Sequence, residues 1–182
     1  MAYDARYWDG YAASNEARYS DEFAGFVAGL AGSLRCGSVL EAGCGTGIDL
    51  RRITGPVLAA GADLNAVALG MAAQKMPTGL YARCGIERLP FGDASVDMVF
   101  THGLLNHLDE GAVGAGTAEL YRVSARYVAS FEEYLADEGR IDDRRHGRNM
   151  GRRWAGMGAR IISDVQMHPD IDGTRFTLAA KR

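Results

Sequence analysis

The feature that most constrains the fold of this chain is a run of glycines directly after an apolar, strand-like segment. Ser38–Ala42 leads into Gly43, Gly45 and Gly47. Glycine adopts positive φ angles without strain and has no Cβ atom, so a ligand can lie directly on such a turn. A helix that begins after the turn presents free N–H groups to the ligand, and we expect a short helix through Ile53. The turn therefore predicts the first strand-to-helix crossover of an open α/β sheet, where such folds bind small molecules.

The rest of the chain alternates between short apolar runs and longer segments with helical spacing. This alternation is typical of a parallel sheet with helices on both faces. We predict a Rossmann-like, doubly wound α/β fold with a mostly parallel seven-stranded sheet and an antiparallel C-terminal strand. Helices are predicted within 1–35 and at 66–75 and 113–123, later strands at 57–64, 80–83, 97–101 and 126–135, a loop leading into a short helix from 136, and an antiparallel pair at 159–165 and 174–180.

Length and composition exclude several classes of protein. A chain of 182 residues with 47% hydrophobic residues fits one globular domain. The net charge of -3 indicates no general attraction to nucleic acid or to an anionic membrane. The three cysteines form no CxxC pair and lie near no histidine at metal spacing, so neither a zinc site nor a disulfide framework is predicted. No apolar run approaches the ~20 residues needed to span a bilayer, and we expect a cytoplasmic protein.

The spacing of the glycines indicates which ligand the turn can hold. The sequence has GxGxG with Glu41 before the first glycine, whereas a dinucleotide site needs GxGxxG and a P-loop needs Gly-Lys-Ser/Thr. A diphosphate is therefore not favoured. Asp63 ends the predicted second strand, where a carboxylate can accept both hydroxyls of a ribose. Asp63 is alternatively a cap for the helix that follows Asn65.

Two histidines follow another predicted strand. The segment 89–100 is predicted to form a tight loop and a buried strand, and His102 and His107 come just after it. One histidine at such a place is more often structural. Two of them at the ligand edge of an open sheet favour a role in the site for at least one.

These segments resemble the class I S-adenosylmethionine (SAM)-dependent methyltransferases over roughly residues 38–135. The motifs are VLEAGCGTG (39–47), GADL (61–64) and LPFGDASVDMVFTHGLLNHL (89–108). The resemblance implies SAM as the cofactor, with its methionine part on the glycine turn and its ribose on the acidic residue after the second strand. Residues just before LPF would flank the adenine; the family often has an acidic residue where this chain has Gly85. The implied cofactor-binding residues are Tyr11, Glu41, Gly43, Cys44, Gly45, Gly47, Asp63, Leu64, Gly85, Ile86, Thr101 and His102.

A narrower resemblance joins the chain to the methylases associated with pseudaminic acid biosynthesis. It is carried by the segments 6–19, 101–108 and 118–134. It implies a small-molecule acceptor, a sugar or nucleotide-sugar of surface-glycan synthesis. We accordingly expect a single methyltransferase domain over 1–182, divided into an N-terminal helical lid (1–35), a SAM-binding core (36–135) and an acceptor side (136–182).

Methyl transfer to a sugar hydroxyl needs a base, and His107 is the first candidate because histidine titrates near neutral pH. Tyr134 is the second, with Glu132 and Glu133 as weaker candidates. Trp8 and Tyr11 are predicted either to stack near the sulfonium or to pack between helix and sheet. A group of arginines after the last parallel strand either receives an anionic acceptor or is simply exposed: Arg144, Arg145, Arg148, Arg152 and Arg153.

Other functions stay open from the sequence. The same fold serves acceptors that are small aromatics, lipid quinones or amino acids. A noncatalytic module that binds SAM or a partner protein is a further alternative. A nicotinamide-dependent dehydrogenase is disfavoured by the GxGxG spacing.

Overall fold

Helices and strands alternate along most of the computed structural model, which describes residues 5–15 and 20–182. Residues 1–4 and 16–19, part of the predicted N-terminal helical segment, lie outside the described residues. The helices are α1 (Ala5–Asn15), α2 (Asp21–Ser33), α3 (Ala66–Lys75), α4 (Glu110–Val123) and α5 (Met150–Gly156). The strands are β1 (Ser38–Ala42), β2 (Leu58–Asp63), β3 (Leu80–Arg83), β4 (Val96–His102), β5 (Ser124–Glu132), β6 (Gly139–Arg140), β7 (His146–Gly147), β8 (Arg160–Gln166) and β9 (Arg175–Ala180).

Seven of these strands form one sheet in the order β3-β2-β1-β4-β5-β9-β8. Neighbours from β3 to β5 pair in parallel, whereas β9 pairs antiparallel with both β5 and β8. The predicted Rossmann-like fold, with its mostly parallel sheet and antiparallel C-terminal strand, is confirmed. The order reverses at β1 and β4, so the loops after these two strands diverge and leave a crevice at the carboxyl edge.

Both faces of the sheet are buried, because successive side chains of a strand point to opposite sides. On β1, Val39 belongs to a cluster with Phe23 and Val27 of α2, whereas Leu40 belongs to a cluster with Trp154 of α5. Burying such side chains stabilises the fold by about 1.5–3 kcal/mol each. The central strands are thereby fixed, and their carboxyl ends meet at one edge.

Two predicted segments differ in the structure. The residues after the glycine turn form successive tight turns rather than an α-helix: Leu50 N–H donates to the Gly47 carbonyl and Ile53 N–H to that of Leu50. Gly55 reverses the chain with a φ of 77°, which leaves too few residues for a stable helix. The polar stretch after β5, predicted as a loop, contains the short β6–β7 hairpin before α5 begins.

Within the described residues, no helix combines the length and the apolar character needed to cross a membrane.

Candidate functional site

A cleft of about 400 Å³ lies at the carboxyl ends of β1, β2 and β4. Its floor comes from the strand ends, and α1 supplies side chains on the opposite side. Residues predicted as site residues that line the cleft are Tyr11, Glu41, Gly43, Cys44, Gly45, Asp63, Leu64, Ile86, His102 and His107. Trp8, Asp49, Glu87, Leu104 and Asp172 also line it.

The glycine turn has the geometry that its sequence predicts. Gly43, Gly45 and Gly47 have φ angles of 78°, 50° and 70°, which strain any residue with a Cβ atom. The amide of Gly43 donates to the Ala62 carbonyl at 2.7 Å, which ties the turn to β2. A Cβ atom on Gly43 would come within 2.9 Å of the Leu104 side chain. The turn therefore depends on glycine for its backbone angles and for its contact with Leu104.

Asp63 is held in place by two main-chain amides. Its Oδ2 accepts from the amide of Gly45 at 2.9 Å and its Oδ1 from that of Asn65 at 2.8 Å. The N-cap of α3 is Asn65, whose side chain accepts from Val67 and Ala68. Each oxygen of Asp63 keeps a further lone pair, and the residue lines the cleft. A fixed carboxylate at this place fits a ribose diol.

Glu41 lies at the end of β1 and is only 2% exposed. It lines the cleft, and its Oε2 has no hydrogen-bond partner. Burial, together with the neighbouring Asp49, raises the pKa of Glu41 well above its usual value. Although the carboxyl group is hydrogen-bonded to Asp49, its buried Oε2 is left to accept from the ammonium group of a SAM methionine moiety.

His102, the last residue of β4, is bound on both ring nitrogens. Nδ1 lies 2.7 Å from Asp49 Oδ2, and Nε2 lies 3.0 Å from Asp172 Oδ1. Burial alone would lower the pKa of His102, but the two aspartates outweigh it and raise that pKa well above its usual value. The two carboxylates therefore favour the imidazolium form of His102, and with both ring nitrogens engaged it is not placed to act as a base. Its place in the cleft wall agrees with a role in shaping the cofactor end.

His107 differs from His102 in its environment. It ends a short 3-10 helix (Leu105–His107) and lies edge-on to Trp8, with ring centroids 5.6 Å apart. Burial lowers the pKa of His107, helped by Arg145 and opposed by a hydrogen bond to the main chain of Arg144. The imidazole is thus neutral at neutral pH. A neutral imidazole that donates through one nitrogen accepts through the other.

Helix α1 contributes Trp8, Tyr11 and Ala12 to the cleft. The ring of Trp8 also lies 5.6 Å from that of Tyr11. Trp8 and Tyr11 of α1 therefore line the same cleft as the glycine turn and His107.

Four predicted site residues do not line the cleft. Gly47 completes the turn against Ala72, and Thr101 is fully buried. The ring of Tyr134 lies against the guanidinium of Arg175, whose central carbon is 4.2 Å from the ring centroid. Gly85 is the fourth.

The position of Gly85 is filled by a neighbour. A Cβ atom on Gly85 would lie 2.5 Å from Glu87 Oε2, and Glu87 lines the cleft. A carboxylate thus reaches this part of the cleft, although the residue at 85 has no side chain.

Most of the arginines predicted to receive an anionic acceptor bind carboxylates of the protein itself. Arg145 pairs with Asp142 and Glu133, whereas Arg148 and Arg153 share Glu110. The guanidinium of Arg144 lies over the ring of Tyr7, 5.6 Å from its centroid. These arginines mainly hold the region after β5 together.

Sequence reasoning did not identify Asp49 and Asp172 as site residues. Asp172 lies between β8 and β9, distant in sequence from His102, so no local pattern indicates it. Asp49 could be identified from the sequence as a candidate, because it is a carboxylate just after the glycine turn. Within residues 5–15 and 20–182, no group of three or more potential ligands is arranged to hold a metal ion.

Comparison with known proteins supports this interpretation of the cleft. The family described as methyltransferase domain matches residues 39–126, which include the glycine turn, Asp63 and both cleft histidines. No curated protein sequence matches the chain.

Solved structures of methyltransferases share the fold. CalS10 of Micromonospora echinaspora, an amino pentose methyltransferase with SAM bound, has a TM-score of 0.75 at 16% identity, over 94% of this chain and 96% of that one. Magnesium protoporphyrin IX methyltransferase of Synechocystis, also with SAM bound, has a TM-score of 0.67 at 16% identity, over 98% of this chain and 79% of that one. A SAM-dependent methyltransferase of Aquifex aeolicus has a TM-score of 0.70 at 16% identity, over 98% of each chain. Residues 39–126 thus match the methyltransferase domain family, and the chain has the fold of solved SAM-dependent methyltransferases.

Proposed function

We propose that this protein transfers the methyl group of SAM to a hydroxyl of a small molecule, a sugar or nucleotide-sugar used in surface-glycan synthesis. The observation that carries the proposal is the position of His107, which lines the cleft with its imidazole edge-on to the ring of Trp8. A sugar presents an apolar face, which an aromatic side chain can pack against, and hydroxyls at its rim. Trp8 can pack against the apolar face of the sugar, and His107, next to it, can accept the proton of a hydroxyl at the rim.

Different residues would bind the cofactor and accept the proton. When bound, SAM supplies a methyl group on a cationic sulfur. The turn at Gly43 and the carboxyl groups of Glu41 and Asp63 would hold its methionine and ribose parts. Trp8 and Tyr11 would exclude water on the side of α1, which favours a displacement between aligned partners.

His107 would accept the proton that the acceptor hydroxyl loses. Its lowered pKa keeps the ring unprotonated at neutral pH, as a base must be. A base of this kind contributes about 10²–10⁴-fold to a rate. We therefore expect kcat to rise with pH as His107 loses its proton. The midpoint of this rise should lie below the usual pKa of histidine.

The sugar assignment is supported by the narrow resemblance in the sequence and by the amino pentose substrate named for CalS10. The porphyrin substrate of the Synechocystis enzyme supports the alternative of a non-sugar acceptor on the same fold. The binding of Arg145, Arg148 and Arg153 to internal carboxylates reduces the support for a strongly anionic acceptor. A neutral or singly charged sugar fits these contacts better.

We also propose that the segments of the chain have separate roles. Residues 1–35 would act as the lid, 36–135 as the SAM-binding core and 136–182 as the acceptor side. Here α1 and the β6–β7 hairpin approach His107 from two directions, through Trp8 and through the main chain of Arg144.

The test is methyl transfer from radiolabelled SAM to a panel of nucleotide-sugars and free acidic sugars, with quinones, phenols and amino acids as the competing classes. We expect a sugar to be labelled, and His107→Ala to lower kcat by roughly 100-fold or more while S-adenosylhomocysteine (SAH) still binds. Labelling of a non-sugar class alone would overturn the sugar assignment. Unchanged turnover in His107→Ala would overturn the role of His107.

A further inference from the structure

The short 3-10 helix that carries His107 is held at both ends by oppositely charged side chains that are almost completely buried. Glu132, at the end of β5, is 1% exposed, and Arg148, directly after β7, is 4% exposed. Neither residue lines the cleft. Buried charged groups are costly unless they are paired or hydrogen-bonded, so the partners of these two show what they hold.

Glu132 binds the beginning of the helical turn. Its Oε1 accepts from the amide of Leu104 and its Oε2 from the amide of Asn106, both at 3.3 Å. The amide of Leu105 also interacts with this carboxyl group. The first N–H groups of a helical turn have no partner within the turn and carry partial positive charge. A carboxyl group with two separate acceptor oxygens satisfies them.

Arg148 binds the end of the same turn. Its Nε donates to the carbonyl of Leu105 at 3.4 Å, and its Nη2 donates to the carbonyl of Leu108. Its Nη1 donates to Glu110 at 2.9 Å, which provides the balancing charge. Leu105 is the first residue of the helix, and its carbonyl also accepts from the amide of Leu108 at 3.4 Å, so the bond to the Leu108 carbonyl is the one that fixes the end of the turn. Carbonyls at the end of a turn carry partial negative charge, which a planar guanidinium with several donors complements.

We propose that Glu132 and Arg148 are positioning residues, which clamp the turn from both ends and thereby fix the imidazole of His107 in the cleft. The inference rests on the proposed role of His107 and adds the residues through which that role is maintained. The same turn also presents Leu104, which lies against the glycine turn at Gly43. The clamp therefore links the position of the base to the wall of the cofactor cleft.

Two conservative substitutions test the clamp. Glu132→Gln keeps the size of the side chain but replaces one acceptor oxygen with an NH₂ group, which must face the amide of Leu104 or Asn106. Arg148→Lys keeps the charge, but a single ammonium cannot reproduce the guanidinium fork. Arg126→Lys is the matched control, because Arg126 also donates to two main-chain carbonyls, those of Leu34 and Arg35, from the amino end of β5.

The main readout is the NMR titration of the His107 ring, identified by the signal that His107→Gln lacks. We expect Glu132→Gln and Arg148→Lys to shift the His107 pKa toward its ordinary value by at least about 0.5 unit, because a loosened turn exposes the ring. The control should titrate like the parent. Calorimetric titration with SAH should give a Kd within about twofold of the parent in the control and a Kd weakened by less than about tenfold in the clamp variants, because neither clamp residue lines the cleft but Leu104 of the same turn does.

The outcomes separate the clamp from the proposed function. An unchanged His107 titration in either folded clamp variant overturns the proposal, and so does failure of both to fold, because the pair would then hold the fold rather than the turn. The NMR readout needs no methyl acceptor. If His107→Ala retains full turnover, the role of the base fails, whereas a shifted titration in the clamp variants still supports the clamp.

Discussion

The indole of Trp8 lies edge-on to the imidazole of His107, with an interplanar angle of 80°. This contact is one source of the burial that lowers the pKa of His107. Trp8→Ala should therefore raise the His107 pKa, because a more exposed imidazolium is better solvated. Trp8→Phe keeps an aromatic ring and should change that pKa less. An NMR titration of the two variants that shows equal shifts, or none, would contradict the contact.

Asp63→Ala should weaken SAH binding by about 1–3 kcal/mol, roughly 5- to 150-fold in Kd, through loss of charge-assisted hydrogen bonds to the ribose. Asp63→Asn keeps one acceptor oxygen and should lose less. Calorimetry on both variants provides the measurement. Since Asp63 also accepts the amide of Gly45, circular dichroism should first establish that the fold is intact. Parental affinity in Asp63→Ala would remove the ribose role.

His102 predicts a pH dependence of stability. Because its pKa is raised in the folded state, it stabilises the protein fully below its unfolded pKa, and this contribution is lost as the pH rises through the raised folded value. We expect the contribution of His102 to the Tm of the parent to be largest below the usual pKa of histidine and to shrink as the pH rises above it.

The variant His102→Gln should lose about 3 kcal/mol near neutral pH, because Asp49 and Asp172 would be left near each other without a cation. The difference in stability between parent and variant should shrink as the pH rises. Urea unfolding at several pH values measures it. A difference that stays constant with pH would show that His102 is not charged in the folded protein.

Gly43→Ala should damage the cofactor cleft more than an equally strained substitution elsewhere. Gly43 and Gly158 both have positive φ angles, of 78° and 87°. A Cβ atom on Gly43 would meet Leu104, whereas one on Gly158 meets nothing within 4 Å. Each alanine costs about 1–3 kcal/mol through backbone strain, and only Gly43→Ala should also weaken SAH binding. Equal SAH affinities in the two variants would contradict the role of the turn.

The sequence predicts those parts of the site that are encoded locally. Gly43 and Asp63 were identifiable because the glycine pattern and the acidic end of β2 are short-range signals. The contact between His102 and Asp172 was not identifiable, since it joins β4 to the loop before β9 and depends on strand order. Periodicity predicts that an element exists, but it does not show which distant loop will fold against it.

The same limit applies near the ends of elements. The segment after the glycine turn was predicted to be helical from the position of Leu50 and Ile53, yet the tight turns there bury both side chains. Tyr134 is predicted as a second candidate base from its place after β5, but its contact with Arg175, a residue of the antiparallel strand β9, is not encoded locally. Contacts between distant segments determine both environments.

The central claim is that the cleft above the glycine turn binds SAM. Calorimetric titration of the purified protein with SAH tests it most directly. The structure predicts saturable binding of one molecule per chain with a Kd in the micromolar range, weakened by Gly43→Ala and by Asp63→Ala. No heat of binding at millimolar SAH, with the protein folded, would contradict it.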